Sequence, residues 1–138
     1  MLKTARYREE HASLALLIKG FETTLDIALL GKDGAPARRA LSELAGKLRL
    51  HLAGEDKLLY PQALGSADPA VRKLGEKYQS EMGDLAGAFK AYSDKWLLPK
   101  DIAREALSFA NESRHIIKAL NERIRRENTE FYAAIDKA

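Results

Sequence analysis

The chain has 138 residues, of which 46% are hydrophobic and 31% are charged, so we expect residues 1–138 to form one domain with its own core. A net charge of +3 is too small to indicate a nucleic-acid partner. The sequence has no cysteine, which excludes disulfides, thiolate zinc sites and iron–sulfur clusters. No apolar run approaches the roughly 18 residues of a membrane span, and the charged N-terminal stretch is unlike a signal peptide. We therefore expect a cytoplasmic protein without a membrane partner.

Glycine and proline divide the chain into four segments, each of roughly 25 to 35 residues and helical in pattern. The dividing stretches are 31–36, 65–69 and 97–101. Pro69 suits a first helical turn, and Asp68 is the predicted N-cap in front of it. Four helices with short connections favour an all-α fold, an antiparallel up-down-up-down four-helix bundle.

In the first two segments, apolar residues recur every three or four positions, and a few polar residues share the same stripe. The first stripe comprises His11, Leu14, Ile18, Phe21, Leu25 and Ala28, and the second comprises Leu41, Leu44, Leu48, His51, Glu55 and Leu58. We therefore expect His11, His51 and Glu55 to face the core.

The third and fourth segments carry similar stripes. The third comprises Val71, Tyr78, Met82, Leu85, Phe89, Tyr92 and Trp96, and the fourth comprises Ser113, Ile117, Leu120, Ile124, Glu127 and Phe131. Glu127 is therefore a second carboxylate that is predicted to point inward.

The second half of the chain resembles the first at offsets of 71 and 72 residues, which predicts a duplicated helical hairpin. The corresponding positions are His11 and Met82, His51 and Arg123, and Glu55 and Glu127. The first half therefore keeps its inward histidines, whereas the second half has none.

A metal ion would satisfy these buried polar groups, because unpaired imidazoles and carboxylates are costly to bury. His51 and Glu55 lie one turn apart and can reach one ion, while His11 and Glu127 can approach it from other helices. Such nitrogen and oxygen ligands suit non-heme iron, with manganese or zinc as alternatives, and can admit oxygen or nitric oxide.

A site without metal is the alternative interpretation of the same residues. The two histidines would then be satisfied by Glu55, Glu127 and Arg123, with the guanidinium in place of an ion. On the third segment, Tyr78, Gln79 and Glu81 could each add an oxygen ligand, whereas Met82 is a poor ligand for iron.

Three motifs resemble those of the hemerythrin-like HHE cation-binding domains over nearly the whole chain. They are the pair Glu10–His11, the string HLAGEDKLLYP at 51–61 and the string LNERIRRENTEFY at 120–132. The resemblance implies a four-helix bundle with a non-heme iron centre, usually of two irons bridged by carboxylates, that binds, stores or senses oxygen or serves iron-related stress responses. It implies as ligands His11, His51, Glu55 and Glu127.

The chain departs from that family pattern in its second half. The third segment offers no histidine, and Arg123 or Glu122 stands where the fourth would supply one. We therefore expect a one-sided site that holds one ion rather than two and acts as a binding or sensory module, not as an enzyme. The sequence leaves the protein partner open, as well as the choice between monomer and dimer.

Three other functions remain open. The string RHIIKAL at 114–120 loosely resembles the box of histidine phosphotransfer proteins, with an exposed His115 as phosphoacceptor. A ferritin-like di-iron enzyme would use Glu112 and His115 as one E-x-x-H pair, but it needs a second pair. A helical interaction module without metal is the third alternative.

Overall fold

The structure, a computed structural model, describes residues 3–138, and this part of the chain contains helices and no β-strand. The helices are α1 (Ala5–Glu22), α2 (Ile27–Lys32), α3 (Ala35–Gly54), α4 (Tyr60–Leu64), α5 (Pro69–Met82), α6 (Leu85–Lys95), α7 (Pro99–Arg104), α8 (Ala106–Arg126) and α9 (Tyr132–Lys137). Two π-helical segments, Glu55–Leu59 and Glu127–Phe131, join α3 to α4 and α8 to α9 without a break. The predicted all-helical class is confirmed.

The three predicted dividing stretches coincide with helix ends, and one predicted cap is confirmed in detail. Pro69 is the first residue of α5, and the carboxylate of Asp68 accepts a hydrogen bond from the backbone N–H of Ala70 at 2.8 Å. The side chain thus satisfies a donor that the helix itself leaves free.

The first segment is interrupted where an unbroken stripe was predicted. The hydroxyls of Thr23 and Thr24 bond to the carbonyls of Gly20 and Phe21, at 2.7 and 2.6 Å, and α1 ends there. Such side-chain bonds compete with continuation of a helix. Ala28, predicted to lie in the core, is consequently exposed.

The third segment is also interrupted, between α5 and α6 at Gly83 and Asp84. A Cβ atom at Gly83 would clash with the carbonyl oxygen of Gln79, so the close backbone approach in this turn depends on glycine. The predicted third stripe therefore lies on two helices, with Met82 only half-buried at the end of α5.

The first π-helical segment shifts the second stripe by one residue. Leu58, predicted to be buried, is 58% exposed, whereas its neighbour Leu59 is 5% exposed. A π-helical turn contains more residues than an α-helical turn, so the face that follows Glu55 resumes one position later.

Helix contacts connect α1 with α3, α3 with α6, α6 with α8, and α8 with α1. Two separate hydrophobic clusters fill the interior, with Leu48 and Leu120 in the larger one and Leu59 and Phe131 in the smaller one. The inward polar residues of α3 and α8, and of the π-helical segments that continue them, therefore lie between the two clusters. Within residues 3–138, no helix is long and apolar enough to cross a membrane.

Candidate metal centre

Four predicted residues, His11, His51, Glu55 and Glu127, converge in the interior. Each offers a ligand atom, and these atoms all lie within 4.8 Å of one another. No member of the group is more than 3% exposed. The structure thus gathers two nitrogen and two carboxylate oxygen donors into a buried group that can hold a metal ion.

The two carboxylates occupy equivalent places in the fold. Glu55 and Glu127, 72 residues apart, each begin a π-helical segment. Five residues after each glutamate, the backbone N–H of Tyr60 or Tyr132 donates to the glutamate carbonyl. Single π turns within α-helices are frequent at functional sites. The matched positions support the predicted duplication.

Each histidine is oriented by a polar partner on its outer side. Nδ1 of His51 lies 2.7 Å from Oε1 of Glu10, and Nδ1 of His11 lies 2.8 Å from Oδ1 of Asn128. Because both partner atoms are acceptors, the Nδ1 atoms carry the protons, and the Nε2 atoms are left to face the group.

Neither outer partner was assigned a role from the sequence. Glu10 belongs to the Glu10–His11 pair, so its position beside a candidate ligand was a usable signal. Asn128 follows Glu127 directly, but an asparagine there has no distinguishing pattern.

Two tyrosines hold the outer oxygens of the carboxylates, and they do so across the repeat. The hydroxyl of Tyr132 donates to Oε2 of Glu55, and the hydroxyl of Tyr60 donates to Oε2 of Glu127, each at 2.6 Å. These roles were not predicted from the sequence, although a tyrosine five residues after each inward glutamate was a signal that could have revealed them.

Three inner atoms of the group lack such partners, whereas Nε2 of His11 lies 3.2 Å from the hydroxyl of Tyr132. Nε2 of His51, Oε1 of Glu55 and Oε1 of Glu127 are buried without a hydrogen bond. Nε2 of His51 lies 2.8 Å from Oε1 of Glu55, and with the proton of His51 on Nδ1 both of these atoms are acceptors. Buried polar atoms are normally paired, so these three atoms mark a place that suits a cation.

Arg123 places a fixed positive charge beside both carboxylates. Its Nε donates to Oε2 of Glu127 at 3.2 Å, and its Nη2 lies 3.5 Å from Oε1 of Glu55. The same guanidinium bonds to Oδ1 of Asp56 and to the carbonyl of Met82, both at 3.1 Å. All of these contacts hold Arg123, which is 1% exposed, at the position that corresponds to His51.

The pKa values of the two carboxyl groups are shifted in opposite directions. Burial, reinforced by the charge of Glu127, raises the pKa of Glu55 to about 7. Burial would also raise the pKa of Glu127, but the approach of His11 and the charge of Arg123 outweigh it and lower that pKa to about 2. Near neutral pH, Glu127 is therefore anionic, and Glu55 is the carboxyl group that takes up a proton more readily.

The further oxygen donors predicted on the third segment lie outside the group. Tyr78 is buried, but its hydroxyl donates to the carbonyl of Arg126 at 3.2 Å. Glu81 is exposed and pairs with the Arg126 guanidinium at 2.6 Å, and Gln79 is exposed. Met82 contributes only its backbone carbonyl, to Arg123.

The remaining candidates lie on the outer faces of α8. Glu122 is exposed and pairs with Arg125 at 2.7 Å. His115 is exposed, as expected for a surface residue. Glu112 bonds to Lys95 and to the indole N–H of Trp96, both at 2.8 Å.

Comparisons with known proteins give one family and one curated relative. The family described as the hemerythrin HHE cation binding domain matches residues 2–135. A protein of Listeria innocua, named 5-methyltetrahydropteroyltriglutamate–homocysteine methyltransferase, is 34% identical over 131 residues. That match covers 88% of this chain but 17% of the relative, so the chain spans less than a fifth of its length. No solved structure matches the chain.

Proposed function

We propose, since this chain belongs to the hemerythrin HHE cation-binding domain family, that it holds one non-heme iron ion as a binding or sensory module. The ligands would be His11, His51, Glu55 and Glu127. The stimulus would be a small diatomic molecule, oxygen or nitric oxide, or the redox state of the cell. In this proposal α1, α3, α5 with α6, and α8 form the predicted antiparallel four-helix bundle.

The unpaired inner atoms carry the proposal. Nε2 of His51 and the Oε1 atoms of Glu55 and Glu127 are buried and lack hydrogen bonds, while the outer atoms of the same side chains are all occupied. A cation is the partner that suits all three atoms at once. The residues present therefore fit a metal ion.

A single ion is favoured because the remaining carboxylate oxygens are already bound. A carboxylate that bridges two metals uses both oxygens, but Oε2 of Glu55 accepts from Tyr132, and Oε2 of Glu127 accepts from Tyr60 and Arg123. The Arg123 guanidinium would also repel a second cation. This is the physical basis for a one-sided site.

Two histidines and two carboxylates leave coordination positions free, and ferrous iron bound there would supply an open position for a diatomic ligand. The chain's own residues orient the ligands through Glu10 and Asn128 and supply a buried, largely apolar surrounding. We propose binding rather than turnover, and we do not extend the activity named for the Listeria protein to this chain.

Metal content tests the proposal. After anaerobic reconstitution with ferrous iron and desalting, elemental analysis should give about one iron per chain. His51→Ala should lose the iron, whereas His115→Ala, which removes an exposed histidine, should keep it. Nitric oxide added to the loaded protein should give an iron–nitrosyl electron paramagnetic resonance signal.

Two results would reject this function. Two irons per chain with an oxo-bridged visible spectrum would mean that Arg123 does not block a second ion. No iron in the wild-type protein would favour the metal-free interpretation, in which Arg123 replaces the ion.

A further inference from the structure

A cavity of about 550 Å³ lies between α3 and α6, outside the candidate metal centre. Its floor consists of Leu48, Leu52 and Phe89, which belong to the larger hydrophobic cluster. The cavity size lies within the range of small-molecule sites, roughly 300 to 1,000 Å³. None of the four candidate metal ligands lines it.

Two glycines, one on each helix, contribute to the open space of the cavity. Gly46 lines it from α3 and Gly87 lines it from α6. A Cβ atom added at either glycine would have no heavy atom within 4 Å. The space beside both backbones is thus free of neighbouring side chains, and a larger residue there would occupy the cavity rather than disturb the fold.

The rim of the cavity carries an excess of positive charge. Asp56 is engaged by Arg123 at 3.1 Å, and Asp94 is engaged by Lys90 at 2.6 Å. Arg49 and Lys57, the other two rim cations, form no ion pair within the described part of the chain. An apolar floor beside two uncompensated cations is complementary to an anion with an apolar body.

We propose that this cavity binds an amphipathic anion. Its apolar body lies on Leu48, Leu52 and Phe89, and its anionic group pairs with Arg49 and Lys57. The lining extends from Ala45 on α3 to Lys57 on the π-helical segment that continues it, roughly 18 Å at 1.5 Å per residue, which favours an elongated body such as an alkyl carboxylate. None of the proposed metal ligands lines this cavity, so the proposal does not require bound iron.

Isothermal titration calorimetry with decanoate tests the proposal on the whole chain. Wild-type protein should bind decanoate with one-to-one stoichiometry, and decanol, which lacks the charge, should bind more weakly. Arg49→Gln with Lys57→Gln should weaken decanoate binding about fivefold or more, as expected for two exposed ion pairs. Gly46→Leu and Gly87→Leu should each weaken binding by narrowing the cavity.

Matched variants separate the site from general effects of charge and helix propensity. Arg39→Gln with Lys47→Gln removes the same charge from α3 outside the cavity, and Gly20→Leu makes the same change at an open position of α1. Both should bind decanoate as the wild type does, with unchanged helical circular dichroism. No decanoate binding, unchanged binding in Gly87→Leu, or equal binding of decanol would overturn the proposal.

Discussion

Nε of Arg123 donates a hydrogen bond to Oε2 of Glu127 at 3.2 Å, one helical turn further along the same continuous helix. In the other half of the chain, His51 occupies the corresponding position before Glu55. One carboxylate thus has a permanent cation as its neighbour, and the other has an imidazole that can serve as a ligand. This difference is the source of the predicted one-ion stoichiometry.

Replacement of Arg123 should therefore destabilise the metal-free protein strongly. Arg123→Met leaves Glu127 buried without its counter-charge, and loss of one partner of a buried ion pair costs about 3–5 kcal/mol. Urea unfolding followed by circular dichroism measures this cost. The control is Arg125→Met, which breaks an exposed pair with Glu122 and should leave the unfolding free energy nearly unchanged. Similar costs for the two variants would mean that Arg123 does not compensate the buried carboxylates.

Glu10 should control metal affinity although it is not a candidate ligand. Glu10→Gln replaces the charged acceptor at Nδ1 of His51, and loss of such an outer partner typically weakens metal binding about 10–100-fold. Competition with a chromophoric iron chelator measures the change. Glu9→Gln alters the exposed preceding residue and should leave the affinity unchanged. An unaltered affinity in Glu10→Gln would show that the contact does not tune the histidine.

The stability of the metal-free protein should depend on pH through Glu55. Its pKa is about 7 in the folded chain and near 4.5 when the carboxyl is free, so the folded state binds the extra proton between these values. The unfolding free energy should consequently decrease as the pH rises from about 5 to about 7. Burial lowers the pKa of His51, but the nearby carboxylates of Glu55, Glu10 and Glu127 together raise it above its ordinary value, which acts in the same direction.

Urea unfolding at a series of pH values measures this slope. Glu55→Gln removes the titrating carboxyl and should flatten most of it. A stability that instead rises steadily over this pH range in the wild-type protein would contradict the assignment of the proton to Glu55.

The π-helical register can be tested by a pair of adjacent leucines. Leu59→Ala removes a buried side chain and should cost about 2–5 kcal/mol of unfolding free energy. Leu58→Ala changes an exposed side chain and should stay within about 0.5 kcal/mol. Thermal or urea unfolding distinguishes the two. The opposite order would indicate a regular α-helix with Leu58 in the core.

The apolar stripes were sufficient to predict the four inward residues of the site. His11, His51, Glu55 and Glu127 lie where a three- or four-residue rhythm requires core positions, and a polar residue in such a stripe is conspicuous. The rhythm also predicted the helical class. The gathering of these four side chains into one group depends on packing between helices, which the repeat and the family resemblance made predictable.

The predicted helix ends and the predicted register were wrong where local hydrogen bonding interrupts or alters the regular α-helix. The side chains of Thr23 and Thr24 end α1 early, and the spacing of the apolar residues does not indicate this helix end. The π-helical turns after Glu55 and Glu127 likewise add a residue to a helix without a change in composition. The roles of Glu10 and Asn128 were not predicted because they depend on contacts between helices and not on the apolar stripe of the helix to which each residue belongs.

The hydrogen bonds from Tyr132 to Glu55 and from Tyr60 to Glu127 are reciprocal, since each joins a tyrosine of one half to a glutamate of the other. In an isologous interface, two identical surfaces exchange the same contact in this way about a two-fold axis. Each half of the chain completes the carboxylate of the other half. If the chain were cut at 65–68 and the two fragments separated, each glutamate would lose the phenol that donates to it. The environment of each acid therefore depends on the other half of the chain.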